Sequence, residues 1–326
     1  MSYKIDALYS GGGVIVTYKC TAACLHCCYS SSPQREGAYI SGEMSDEIFF
    51  LLNKTGCRSV HIGGGEPFIN FEGLLEVCLS AQKNNVSIDY IETNASWFTD
   101  EAAVSLKLKK LKNAGADCLL ISLDPFHNEF VPYSKIKNLL KCCGKNNFGT
   151  FLWQSKFERL VRRLDENKTH TLAEYTEKFG PDFVKNTAET YGLGYNGRAL
   201  RILAGSPKQN TEYFLNLNDK CAGNLRSLHH FHIDLNGDFI PPGCIGFKAS
   251  IFDLCGEGLD EKKYANFLPA VNGGLNGLYE RARTLGFNPE PDGYVSKCGL
   301  CFDIKKYISE TYAPCDIGPS GFFRES

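Results

Sequence analysis

Short β-rich runs alternate with longer helical stretches through about the first 205 residues, and no other feature of the chain narrows its fold as far. Residues 14–19, 59–62 and 87–92 have the β-branched and aromatic content of strands, and residues 118–123 are apolar enough to be buried on both faces. Residues 148–153 and 198–203 are weaker strand candidates. Helical patterns lie between them over 45–54, 71–84 and 99–114, the last opening on a Thr99-Asp100-Glu101 cap. Repeated strand–helix units imply an α/β fold with a parallel sheet, open or curled into a barrel. Residues 156–190 are charged and helical, longer than a minimal crossover. Past 205 the pattern changes. Residues 231–235 and 238–240 flank Asn236-Gly237, a strong hairpin signal because that pair suits a type I′ turn. Glycine and proline are frequent beyond it, so the chain divides into residues 1–205 and a smaller module, 206–326.

Charge and cysteine content then limit the function. The 35 Lys and Arg nearly balance the 37 Asp and Glu, for a net charge of -2, which offers no basic surface for nucleic acid and no single-sign field for a membrane. Residues 1–14 contain Gly11, Gly12 and Gly13 and resemble neither a secretory signal nor a membrane span, so a cytoplasmic protein is expected. Fifteen cysteines among 326 residues lie below the density of a secreted disulfide scaffold, and an odd count in a reducing compartment points to metal ligands, reactive thiols and small buried side chains. Cys57, Cys78, Cys118, Cys142 and Cys143 sit in or beside apolar segments and read as plain thiols. The other ten are grouped.

Cys20, Cys24 and Cys27 follow the first strand at a spacing that marks either one helix face or the ligands of one iron–sulfur cluster, with one iron left open for a non-protein ligand. Gly63-Gly64-Gly65-Glu66-Pro67 ends the second strand, where glycines admit a close ligand and Glu66 offers an anion to an ammonium. Glu92-Thr93-Asn94-Ala95 ends the third and Ser122-Leu123-Asp124 the fourth. All four elements fall on the sheet edge where α/β folds bind ligands.

This set resembles the radical S-adenosylmethionine (radical SAM) superfamily: the cluster loop with the aromatic His26 before its last cysteine, the Gly-Gly-Glu-Pro turn and the two polar strand ends, in order over about 200 residues. The resemblance implies a partial (β/α)6 TIM-like barrel, a [4Fe-4S] cluster on Cys20, Cys24 and Cys27, and S-adenosylmethionine (AdoMet) chelated at the open iron. It implies AdoMet cleavage to a 5′-deoxyadenosyl radical that takes hydrogen from substrate, with electrons from a flavodoxin or ferredoxin. Gly64, Gly65 and Glu66 would bind the methionyl amine, and Asn94 and Ser122 the ribose or carboxylate side. No clear fifth-strand contact is found, and Gln154 is the nearest candidate.

Two further groups have competing readings. Asp124 to Glu129 either reach the substrate or form a solvated turn opened by Asp124-Pro125. In His229-His230-Phe231-His232, alternation puts His230 and His232 on one face, which suits ordinary strand residues better than a metal site. Downstream, Cys298 and Cys301 form a ligand knuckle and Cys244 follows the hairpin, a pattern open to structural zinc. The run Asn196-Gly197-Arg198-Ala199, then Cys221, Gly237 and Cys244, is similar to the entry of SPASM or twitch domains, C-terminal extensions that carry auxiliary clusters. The later cysteine run of that pattern is missing, so one auxiliary [4Fe-4S] cluster is expected, on Cys244, Cys298, Cys301 and Cys315.

Such extensions imply a ribosomally made peptide as substrate, and residues 27–33 are similar to peptide epimerases of this class. The first reading is therefore conversion of L- to D-residues, the second oxidative crosslinking, and a distant third a metal-binding or electron-transfer protein without catalysis. An epimerase needs a thiol to return hydrogen to the opposite face of Cα. Cys221, about 18 residues beyond the last expected barrel strand, is the candidate donor, its alternative being a cluster ligand. Cys28 and Cys255 are left without a role.

Overall fold

The computed structural model describes residues 3–217, 220–318 and 321–324. Five strands, β1 (Gly12–Ile15), β2 (Ser59–Gly63), β3 (Ser87–Thr93), β4 (Cys118–Ser122) and β5 (Gly149–Trp153), alternate with helices α1 (Gly42–Lys54), α2 (Phe71–Lys83), α3 (Glu101–Asn113), α4 (Pro125–Asn128) and α5 (Tyr133–Lys145). Each of the first three helices starts on a side-chain cap: Ser41 accepts from Met44 N, Asn70 from Gly73 N and Asp100 from Ala103 N. The strands pair in parallel with their neighbours in chain order. Crossovers of one hand leave the long helices on one face, where Val14, Val60, Ile62, Ile91, Leu119 and Ile121 pack into the main core. The other face carries His61, Tyr90, Glu92, Leu120, Phe151 and Trp153, with Glu92 beside Leu120 and Leu120 beside Phe151 in register.

The sheet has eight strands in the order β5-β4-β3-β2-β1-β6-β7-β8. Strand β6 (His232–Asp234) lies parallel to β1 on its free side, and β7 (Asp238–Ile240) and β8 (Ala249–Ser250) continue antiparallel. The hairpin expected at Asn236-Gly237 is present, with Gly237 at φ 76°. Residues 148–153 are largely the strand β5, but residues 198–203 are not a strand: Gly197–Leu203 is a 3-10 helix, entered by Gly197 at φ 53° and held by the buried Arg198. The sheet therefore grows from β1 rather than beyond β5, using the hairpin of the second module. Position 205 is a boundary of local pattern that the sheet itself crosses. Among the described residues, no helix is long and apolar enough to cross a membrane.

Candidate functional site

The loop after β1 carries Cys20 and Cys24, both buried, and the half-buried Cys27. Sulfur acceptors are already engaged: Ala22 N donates to Cys20 Sγ at 3.4 Å, Ser31 N to Cys27 Sγ at 3.4 Å, and Asn94 Nδ2 to Cys20 Sγ at 3.6 Å. Burial, then the neighbouring Cys24 and Glu66, push the Cys20 thiol well above its ordinary pKa, and burial also raises that of Cys24. Three cysteine sulfurs gathered on one loop, two of them buried, are the donor set of an iron–sulfur cluster. His26 Nδ1, Tyr29 Oη and Ser31 Oγ of the same loop are buried with no hydrogen-bond partner among the described residues, which also fits a site built around a bound group.

Neighbouring elements clamp this loop. Gly65 N donates to Thr17 O at 2.8 Å and Glu66 N to Lys19 O at 3.0 Å. A Cβ at Gly65 would lie 2.1 Å from Lys19 O, and one at Gly64 2.7 Å from Thr17 O. These glycines thus admit the chain's own cluster loop, whereas the sequence suggested a direct approach to ligand. Glu66 is 1% exposed, and its oxygens accept from Phe68 N (3.1 Å), Thr93 Oγ1 (3.0 Å) and Asn94 N (2.8 Å). Burial raises its pKa to about 7 against those donors. Expected to meet an ammonium, Glu66 is turned onto the end of β3 and fixes Asn94. Asn94 in turn donates to Thr21 Oγ1 at 3.1 Å as well as to Cys20, so it faces the cluster loop. Ser122, at the end of β4, is half-buried beside Trp153, and Gln154, in a left-handed conformation, donates to Tyr191 O at 3.2 Å.

The Asp124–Glu129 segment is neither a solvated turn nor simply a substrate contact. Asp124 is fully buried, caps α4 through His127 N at 3.0 Å and pairs with His127 Nδ1 at 2.7 Å. Burial works against the Asp124 carboxylate, yet His127 and His26 hold its pKa at about 2. Burial likewise opposes the His127 imidazolium, but Asp124 and Cys24 carry its pKa well above the usual value. His26, pushed down to about 4 by burial, stacks on Phe126 at 4.8 Å, and ligand atoms of Cys24, His26 and His127 lie within 4.8 Å of one another. This bracing of the middle cysteine was not legible in the sequence beyond the Asp124-Pro125 signal.

The Asn196–Arg198 turn joins this site to a second one. Arg198 donates through Nε to Cys24 O at 2.9 Å and through Nη2 to Ser31 O at 2.5 Å, and Asn196 Nδ2 donates to Gly243 O at 2.7 Å. Gly243 lines a cavity with Cys221, Cys244, Cys298, Cys301 and the buried Lys305. Gly274, at φ 60° where the helix Phe267–Thr284 kinks, forms part of its wall. Burial pushes the Cys244 thiol to about 12, Cys301, Cys221 and Cys298 push it the same way, and Lys305 pulls it down. Two expectations change here. Cys315 does not line this cavity; it is exposed and donates to Lys263 O at 3.1 Å. Cys221 does line it, because its helix Cys221–Leu225 packs on the helix Phe267–Thr284 instead of reaching over the barrel mouth.

Residues 14–173 match the family described as the Radical SAM superfamily. Such a domain implies a [4Fe-4S] cluster and AdoMet. The chain is 32% identical over 127 residues to YydG of Bacillus subtilis (strain 168), a candidate peptide biosynthesis protein, covering 38% of each chain. It is 33% identical over 91 residues to the mycofactocin maturase MftC of Mycolicibacterium smegmatis (strain ATCC 700084 / mc(2)155), covering 28% of this chain and 22% of that one. Both matches thus span well under half of these relatives. Among solved structures, SuiB of Streptococcus suis bound to the precursor peptide SuiA is 14% identical with a TM-score of 0.39, over 90% of this chain and 76% of that one. The AdoMet-bound structure of native anSMEcpe is 16% identical with a TM-score of 0.43, over 76% and 80%.

Proposed function

We propose, from the premise that residues 14–173 are a radical SAM domain, that this protein is a peptide-modifying radical enzyme whose cluster is held by Cys20, Cys24 and Cys27. The observation that carries this reading is the largely buried three-cysteine loop, braced by Asn94 after β3, by His127 of α4 and by Arg198. Cluster and AdoMet, when bound, supply a 5′-deoxyadenosyl radical that takes hydrogen from an unactivated C–H bond. The chain's own residues do the positioning. Glu66 sets Asn94, Asp124 orients His127, and Arg198 fixes the loop carbonyls. A peptide as substrate is supported by the likeness to YydG and MftC. The sheet face opposite the long crossover helices suits one, since Phe151 (41%) and Trp153 (45%) are exposed there beside Tyr90.

The reaction is epimerisation of L- to D-residues, which requires a thiol hydrogen donor. With Cys221 drawn into the second cysteine cavity, Cys28, beside Cys27 and within electrostatic reach of Glu92, takes the donor's place in this reading. That cavity supports the second reading, oxidative crosslinking: four cysteines with Lys305 as a nearby cation suit one auxiliary [4Fe-4S] cluster able to accept an electron. Reduction by a flavodoxin or ferredoxin completes either reaction. The two separate in heavy water with a precursor peptide: epimerisation adds about one mass unit per centre from an exchanged thiol, crosslinking removes about two. Protein that holds no iron after anaerobic reconstitution would overturn both.

A further inference from the structure

We infer that His61, His230 and His232 form a zinc site that fastens the C-terminal hairpin to the parallel sheet. His61 lies on β2 and His232 on β6, the two strands flanking β1. Both rings rise over β1 at one place because the residue between them is Gly13. A Cβ there would fall 2.3 Å from His61 Nε2 and 2.6 Å from His232 Cδ2. The third ring comes from the residue before the hairpin strand pair closes. His230 takes a left-handed backbone, φ 56°, and lies over His61, with rings stacked at 5.2 Å, while its neighbour His229 turns away onto Tyr9.

The triangle has the dimensions of a three-imidazole metal site. Its centroid separations are 5.1, 5.2 and 5.2 Å, and one ligand atom from each ring can be chosen so that all lie within 4.8 Å of one another. Three imidazoles bound tetrahedrally through nitrogen at about 2.0–2.1 Å place their centroids about 5 Å apart. His61 Nε2 and His232 Nε2 are 3.1 Å apart, close to the spacing of two nitrogens on one ion. Burial pushes the pKa of His61 down to about 3 and that of His232 well below its usual value, so both rings are neutral and keep a lone pair. The outer wall is built as well: Tyr90 stacks on His61 at 5.0 Å and Glu92 Oε1 is 3.7 Å from His61 Nε2. Three imidazoles with a carboxylate alongside select a borderline divalent ion, zinc first, with water in the fourth position. The site lies on the sheet face that carries Tyr90 and Phe151, and His232 packs edge-on to Tyr29 of the cysteine loop at 5.9 Å, so a bound ion would tie hairpin, sheet and loop together.

The test uses the iron–sulfur protein, reconstituted anaerobically and then titrated with Zn2+ by calorimetry, with zinc X-ray absorption on the equimolar sample. One zinc per chain is expected, with nitrogen neighbours at about 2.0 Å rather than sulfur at about 2.3 Å. His61→Ala and the exposed His230→Ala should each weaken zinc binding at least about tenfold with iron content unchanged. Zinc should raise the melting temperature of the parent and leave that of His230→Ala where it was. A sulfur shell, no stoichiometric zinc, or an affinity that His230→Ala does not change would overturn the site and leave a hydrogen-bonded imidazole pair.

Discussion

Glu66 illustrates how one residue can be found for one reason and work for another. Its position after the glycines suggested a partner for an ammonium, but its two oxygens are taken by Phe68 N, Thr93 Oγ1 and Asn94 N. The chain thereby satisfies a carboxylate buried to 1% exposure, and Asn94 is set to donate to Cys20 Sγ. A direct ligand and a brace respond differently to substitution. Glu66→Ala leaves buried donors unmatched, each costing about 1–3 kcal/mol, so stability and AdoMet affinity should fall together. Differential scanning calorimetry and equilibrium binding on the same reconstituted sample check this. A loss of affinity at unchanged melting temperature would return Glu66 to the role of amine ligand. Gly65 obeys the same logic, because its missing Cβ makes room for Lys19 O of the cluster loop.

At the scale of elements, β2 to β5 and the helices α1, α2 and α3 were legible because each repeats one pattern of apolar strand, capped helix and polar strand end. By contrast, β1 lies at Gly12–Ile15 rather than 14–19, and α5, which starts without a side-chain cap, was not legible. The 198–203 segment was not, since its apolar content resembles a strand while its fold is decided by tertiary partners. Arg198 is buried and donates to Cys24 O and Ser31 O, which holds the chain in a 3-10 helix. The His61 cluster was missed for a related reason: β2 and β6 are 171 residues apart in sequence and meet only over Gly13. The Arg198 turn makes a prediction at this scale. Lysine keeps the charge but lacks the planar fork that reaches two carbonyls, so Arg198→Lys should cost on the order of 1–3 kcal/mol. It should also speed loss of iron from the three-cysteine loop to a chelator, followed by the fading of cluster absorbance. A loss rate equal to that of the parent would mean that the turn does not brace the loop.

Across the whole molecule, two cysteine-lined sites are tied through one turn, with Arg198 on the cluster loop and Asn196 on Gly243 of the second cavity. Spacing in sequence suggested Cys315 as the fourth member of that cavity and left Cys221 spare. Packing reverses this, since Cys221 lines the cavity with Cys244, Cys298 and Cys301 while Cys315 stays outside. Sequence distance had no means to decide it, because a chain of this length reaches either place. If both sites hold four-iron clusters, the reconstituted protein carries about eight irons per chain. Cys221→Ala should then leave about four, and Cys315→Ala should leave about eight. Replacing Cys20, Cys24 and Cys27 together should also leave about four, but with AdoMet cleavage abolished. The informative comparison is between the two single variants, assayed for iron and for peptide product. If Cys221→Ala keeps all its iron, still cleaves AdoMet and yet forms no D-residue, Cys221 is the hydrogen donor and the cavity closes around a different fourth ligand.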